Sequence, residues 1–222
     1  MHEKPEKSIA LTLWNLPVLD DKVASADNLL NFSQISKDTK GLAIFKNELF
    51  YALLHSKCDQ KTIDAVIKQL QEKGVSYVLC KVSHEAKQFR NWARQVKMEK
   101  MRAVSFIRLR PIDQHNVLYG EFELRHKTGE LIMLHFMNRF PTYKIMISFG
   151  KEAFIGKDGQ IAVTMRLIAS LPPTLIDPFE KLWLTFYKSQ YIPERKNLRY
   201  MQQMVPKKYW KWLREIKEFG VG

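Results

Sequence analysis

The sequence predicts an α+β protein: an antiparallel sheet of about four or five strands, roughly residues 102–170, flanked by N-terminal and C-terminal helices. Three observations predict it. Apolar residues recur at helical spacing up to about residue 100, alternate with polar ones over much of 102–170, and return to helical spacing behind Asp177-Pro178.

Residues 41–55, GLAIFKNELFYALLH, and 59–73, DQKTIDAVIKQLQEK, read as helices. In the second, Ile63, Val66, Ile67 and Leu70 share one face, and Gly74 supplies the stop. The run VSYVLCKV at 75–82 is β-branched and short enough for a strand, with a helix continuing into the next segment as the competitor. Ser83 then caps a helix running to about Lys100, with Glu85 in its first turn. Phe89, Trp92, Ala93 and Val96 fall in one arc of that helix and form its core face, while Lys87, Arg90, Arg94 and Lys97 form a basic stripe opposite.

In the middle region RAVSFIRLR, VLYGEFELR, TYKIMISFG and QIAVTMRL alternate and read as strands. Lys157-Asp158-Gly159 is a tight-hairpin signal between two apolar runs. GELIMLHFMNRF at 129–140 breaks the alternation and reads as a helix that Pro141 ends. Farther on, Asp177-Pro178-Phe179-Glu180 is a capping box, and Phe179, Leu182, Trp183 and Phe186 make the stripe expected to be buried. Pro193 ends that helix and Pro206 starts the last one. Residues 1–40 read as an N-terminal extension of unknown role, and 41–222 as a single domain.

Composition narrows the class. With 45% hydrophobic and 27% charged residues the chain is globular rather than disordered. No uncharged apolar run approaches the ~20 residues that cross a bilayer, and the N-terminus lacks a signal-peptide pattern. A cytoplasmic protein without a membrane partner is expected. Cys58 and Cys80 cannot build a disulfide framework and read as buried thiols. The six histidines show no ligand spacing, so no metal site and no cofactor are expected. Gly150 to Asp158 superficially evokes a phosphate loop, but the glycine spacing is one residue too long and Asp158 stands where a Ser or Thr is needed; a hairpin or two fits better.

The formal charge of +13 is not spread evenly. Residues 87–110 hold eight basic residues and only Glu99, whereas 183–222 hold nine against Glu194, Glu215 and Glu218; the remainder is neutral. Charge confined to two segments is what a localised anion-binding surface requires.

Two stretches in the second half resemble a known family. Tyr191-Ile192-Pro193-Glu194-Arg195-Lys196-Asn197 followed by Met204-Val205-Pro206-Lys207-Lys208-Tyr209-Trp210 resembles the signature of an uncharacterised domain family associated with DNA repair and DNA metabolism. His135-Phe136-Met137-Asn138-Arg139-Phe140 and Met101 to Arg108 are similar to it as well, so that the resemblance runs over about residues 84–214. It implies a DNA context and, as partners, a radical SAM protein or a uracil-DNA glycosylase. It implies no reaction for the domain itself.

The residues point to nucleic acid independently. Nine aromatic residues are interleaved with nine cations in 183–222, the mixture that phosphate neutralisation and base stacking call for. The candidate binding residues are Arg90, Arg94, Lys97, Arg195, Lys196, Arg199, Lys207, Lys208, Tyr209, Trp210 and Lys211. Tyr209, Trp210 and Trp212 crowd one turn, so at least one must point away from the others. A structural aromatic cluster with solvated cations is the competing account. For catalysis the weak candidates are Glu194 beside Arg195, and His135 as acid or base; an ion pair and a packed helix histidine are the simpler account. Function therefore reads first as a DNA- or RNA-binding accessory protein in repair or modification. The alternatives are an enzyme acting on nucleic acid and an interaction module for an acidic partner.

Overall fold

The structure, a computed structural model, describes residues 38–112, 116–150, 152–165, 178–213 and 216. Residues 1–37, most of the expected N-terminal extension, and the Asp177 cap lie outside them. The chain divides into two compact units at Lys97 and Met98.

The first unit is helical. Helix α1 spans Thr39–Leu53, with the Asp38 carboxylate accepting the Gly41 N–H at 2.8 Å; α2 spans Gln60–Lys73, with Asp59 capping Thr62 in the same way. Gly74, at φ +81°, ends α2 as expected. The strand expected at 75–82 is instead a short helix, α3, Val75–Leu79. Its Val75 and Val78, three apart, are both buried, a spacing that only a helix turns to one side. Helix α4 runs His84–Phe106, with the Ser83 hydroxyl accepting the Ala86 N–H at 3.0 Å. Ile63, Val66, Leu70, Phe89, Trp92, Ala93 and Val96 are all buried as their spacing predicts, and Phe45 stacks on Phe89 at 5.5 Å. The cysteines depart from expectation: Cys58 is half-buried and Cys80 exposed.

The second unit begins with the end of α4, which extends past Lys100 to Phe106, so the strand expected for RAVSFIRLR is mostly helix. Ala103 and Ile107, four residues apart, are buried together, and the Ile107 N–H bonds the Ala103 carbonyl at 2.9 Å. The alternation there coincides with a helical spacing, and tertiary burial chose the helix. Strand β1 is only Arg110–Ile112; β2 is Val117–Phe122, β3 Lys144–Phe149, β4 Glu152–Lys157 and β5 Gln160–Met165, in the order β1-β2-β3-β4-β5.

The class is α+β, but the sheet is mixed rather than wholly antiparallel. Strands β2 and β3 pair in parallel, because helix α5, Gly129–Arg139, is the crossover between them and returns the chain in its original direction. The other pairs are antiparallel. The β4–β5 hairpin turns on Asp158 and Gly159, both at positive φ (+50° and +81°), and the predicted phosphate-loop lookalike is two hairpins.

Ile132, Met133, Phe136 and Met137 of α5 join Ile145, Ile147, Phe149 and Phe154 of the sheet in one core. Gly156 permits that packing, since a Cβ there would lie 2.4 Å from the Met137 sulfur. The buried Glu99 carboxylate accepts the Arg125 and His126 N–H groups at 2.8 and 2.9 Å and the Thr128 hydroxyl at 3.1 Å. The one acid of the first basic segment thus holds the loop before α5.

The C-terminal part comprises helix α6, Pro178–Gln190, a 3-10 turn at Pro193–Arg195, helix α7, Leu198–Met204, and a 3-10 turn at Lys207–Trp212. Where a helix starting at Pro206 was expected, residues Lys207–Trp212 form that 3-10 turn, and most of the rest of that stretch lies outside the described residues. Helix α7 escaped sequence reading; Asn197 caps it, accepting the Tyr200 N–H at 2.9 Å.

Candidate nucleic-acid interface

The basic stripe of α4 exists, but two of its four cations share one carboxylate. Glu48 of α1 stands 2.6 Å from Lys97 and 3.8 Å from Arg90, and Lys97 also lies 5.0 Å from the Tyr51 ring centre. Arg94 is exposed and donates to the Asn91 amide oxygen at 3.1 Å, and it has no carboxylate partner among the described residues. Of the three cations proposed there, Arg94 is the one presented to solvent.

In the second unit the Lys207–Trp212 turn resolves the crowding of its rings. Side chains three apart eclipse in a 3-10 turn. Tyr209 and Trp212 accordingly face the same way, onto Phe122 of β2, at ring distances of 5.4 and 4.7 Å. Tyr209 is 2% exposed, touches Phe106 as well, and has Lys208 and Arg102 near its ring. It is therefore a core residue, with no open ring face for a base, and this corrects its place among the stacking residues. Trp210 is the ring that turns aside: its indole N–H donates to the Val205 carbonyl at 2.8 Å and Lys207 lies 5.8 Å from its ring centre. Lys211 pairs with Glu123, while Lys207 and Lys208 are exposed and have no carboxylate partner among the described residues.

Arg195, Lys196 and Arg199 lie between α6 and the second turn of α7, all exposed and without a carboxylate partner among the described residues. Glu194 sits in the same 3-10 turn, exposed. It neither pairs with Arg195 nor bonds His135.

His135 lies on α5 with its Nε2 buried and without a hydrogen-bond partner among the described residues. Loss of solvent, then the charges of Lys100 and Arg139, hold its pKa below the ordinary imidazole value, so the ring is neutral at pH 7. Burial likewise lowers the Lys100 pKa and raises that of Glu130. A neutral imidazole beside two cations can accept a proton only against their repulsion, and the structure does not bring Glu194 to it.

The largest departure concerns α6. Leu182, Trp183 and Phe186, expected to be buried, are 66%, 44% and 56% exposed, and Tyr200 on α7 is 60% exposed. Periodicity could not reveal this, because an apolar arc looks the same whether or not an element covers it. The available signal was charge, since every ring of this stretch lies within a few residues of a lysine or arginine.

The second unit is thus an α+β fold whose C-terminal part presents exposed cations and exposed rings, and it does not bring Glu194 and His135 together. The chain belongs to the family described as domain of unknown function DUF4130, whose profile matches residues 57–215. That match takes in α2 and α3 as well as the region of resemblance noted in the sequence. No curated protein and no solved structure matches the chain.

Proposed function

We propose that this protein binds nucleic acid, DNA in the first place, as an accessory in DNA repair or modification that works with a partner enzyme. One observation carries the reading. Arg195, Lys196, Arg199, Lys207 and Lys208 are five exposed cations of the second unit that no carboxylate neutralises among the described residues. Uncompensated cations in such number cost self-repulsion and gain most when they displace counterions from phosphates. The DNA context rests on the family-like motifs at 101–108, 135–140 and 191–210, and a radical SAM protein or a uracil-DNA glycosylase is the kind of partner they suggest.

Titrating labelled DNA with the full chain at several salt concentrations tests it. Log affinity should fall linearly with log salt, with a slope of about 0.9 for each phosphate neutralised. Reversing Lys207 and Lys208 to Glu should weaken binding whatever the DNA sequence; unchanged binding removes these residues from the interface.

A further inference from the structure

We infer that the preferred ligand carries unpaired bases: the exposed rings of α6 and α7 form a stacking platform for single-stranded nucleic acid. The inference rests on the binding function proposed above and narrows it.

Its basis is what the exposed surface of residues 181–204 is made of. Leu182, Trp183 and Phe186 lie within an arc of about 100° on α6, more than two-fifths exposed in each case, and Trp183 and Phe186 have ring centres 5.9 Å apart. Tyr200 presents a third open ring on α7. Lys181 and Lys188 lie on the side of α6 away from that arc, and Arg195, Lys196 and Arg199 follow in the connector and α7. Against Arg195, Lys196 and Arg199 the stretch 191–204 has one carboxylate, Glu194.

Charge and cover for the rings together separate a second copy, a duplex and a single strand. A second copy would bring the same excess of positive charge, Arg195, Lys196 and Arg199 against Glu194, to meet its equal, so self-association through this surface is opposed. A duplex supplies phosphates but keeps its base faces in its own stack, leaving the rings uncovered. A single strand supplies both at once, a phosphate backbone for the cations and free π-faces for Trp183, Phe186 and Tyr200. Each base–ring stack is worth about fivefold to a hundredfold in affinity, whatever the base.

The test uses the full chain, a fluorescein-labelled oligo-dT of about 20 nucleotides, and a duplex of the same length, with binding read by anisotropy at fixed salt. The single strand should bind at least about tenfold tighter than the duplex. Trp183→Ala should cost about tenfold on the single strand and leave the duplex within about twofold, and Trp183→Phe should restore most of the loss. Equal binding of strand and duplex, untouched by Trp183→Ala, overturns the platform while leaving the nucleic-acid function standing. Binding of neither, at low salt, overturns both. Two further results also overturn the platform: a concentration-dependent dimer in sedimentation that Trp183→Ala dissolves, or binding to phosphatidylserine vesicles that oligo-dT does not compete.

Discussion

Two stretches of the second unit mix rings and cations in similar proportion and use them in opposite ways. In Lys207–Trp212 the rings of Tyr209 and Trp212 close over Phe122, and Lys208 and Lys211 lie over those two rings. In residues 181–204 Trp183, Phe186 and Tyr200 stay in solvent. The difference is the facing partner. A 3-10 turn points residues three apart in one direction, and β2 supplies an aromatic there to meet them. Ring content alone therefore does not mark a binding surface, since similar mixtures of rings and cations are buried in one stretch and exposed in the other.

The strongest way to break the comparison is Tyr209→Ala. Emptying a site that Phe122, Phe106 and Trp212 surround should cost about 3–4 kcal/mol in urea unfolding. Trp183→Ala, on the exposed side, should stay within about 0.5 kcal/mol. Comparable losses for both would show that α6 is packed and the contrast false.

Gly156→Val probes the sheet on which the buried rings rest. The added side chain must displace Met137 and Met133, at a cost of about 1–3 kcal/mol and without direct effect on the cations. A neutral result would mean that the helix–sheet spacing yields easily. The expected loss for Trp210→Phe is smaller, about 1 kcal/mol, because it removes the indole N–H from the Val205 carbonyl while keeping an aromatic ring. Reversal of Arg195 and Arg199 to Glu should leave stability unchanged within about 0.5 kcal/mol and lower the salt slope of DNA binding by about 2. An unfolded double variant would instead place those arginines in the structure's support.

Acidification separates fold from surface most gently. The folded pKa of His135 lies below its ordinary value of 6.5, so the unfolded chain binds the extra proton first as pH falls. Stability conferred by the neutral ring is present above about pH 6.5 and declines below it. Melting temperature measured from pH 7.5 to 5.5 should therefore fall less in His135→Gln than in the native chain; identical pH slopes would remove His135 as the cause.

Much of the fold was legible because local rules and burial agreed. Helices α2 and α4 bury Ile63, Val66 and Leu70 and Phe89, Trp92, Ala93 and Val96 where their spacing says, and Asp158-Gly159 takes the positive φ angles its hairpin requires. Reading failed where two periods fit one string. RAVSFIRLR alternates and also places Ala103 and Ile107 four apart, and VSYVLCKV is β-branched yet buries Val75 and Val78. The parallel pairing of β2 with β3 follows from the α5 crossover, a relation between elements that no single strand's pattern carries.

The sequence by itself determined the α+β class, the confinement of the charge to two segments and the residues that crowd the C-terminal turn. Those properties depend on residue type and spacing, which the chain states directly. Only tertiary structure decided which cations stay unneutralised and which rings stay open. Lys97 and Arg90 met Glu48, Tyr209 met Phe122, and Trp183 and Phe186 kept their exposure. The reason is that charge compensation and burial are properties of pairs, and a sequence gives each residue without the neighbour that long-range folding brings to it.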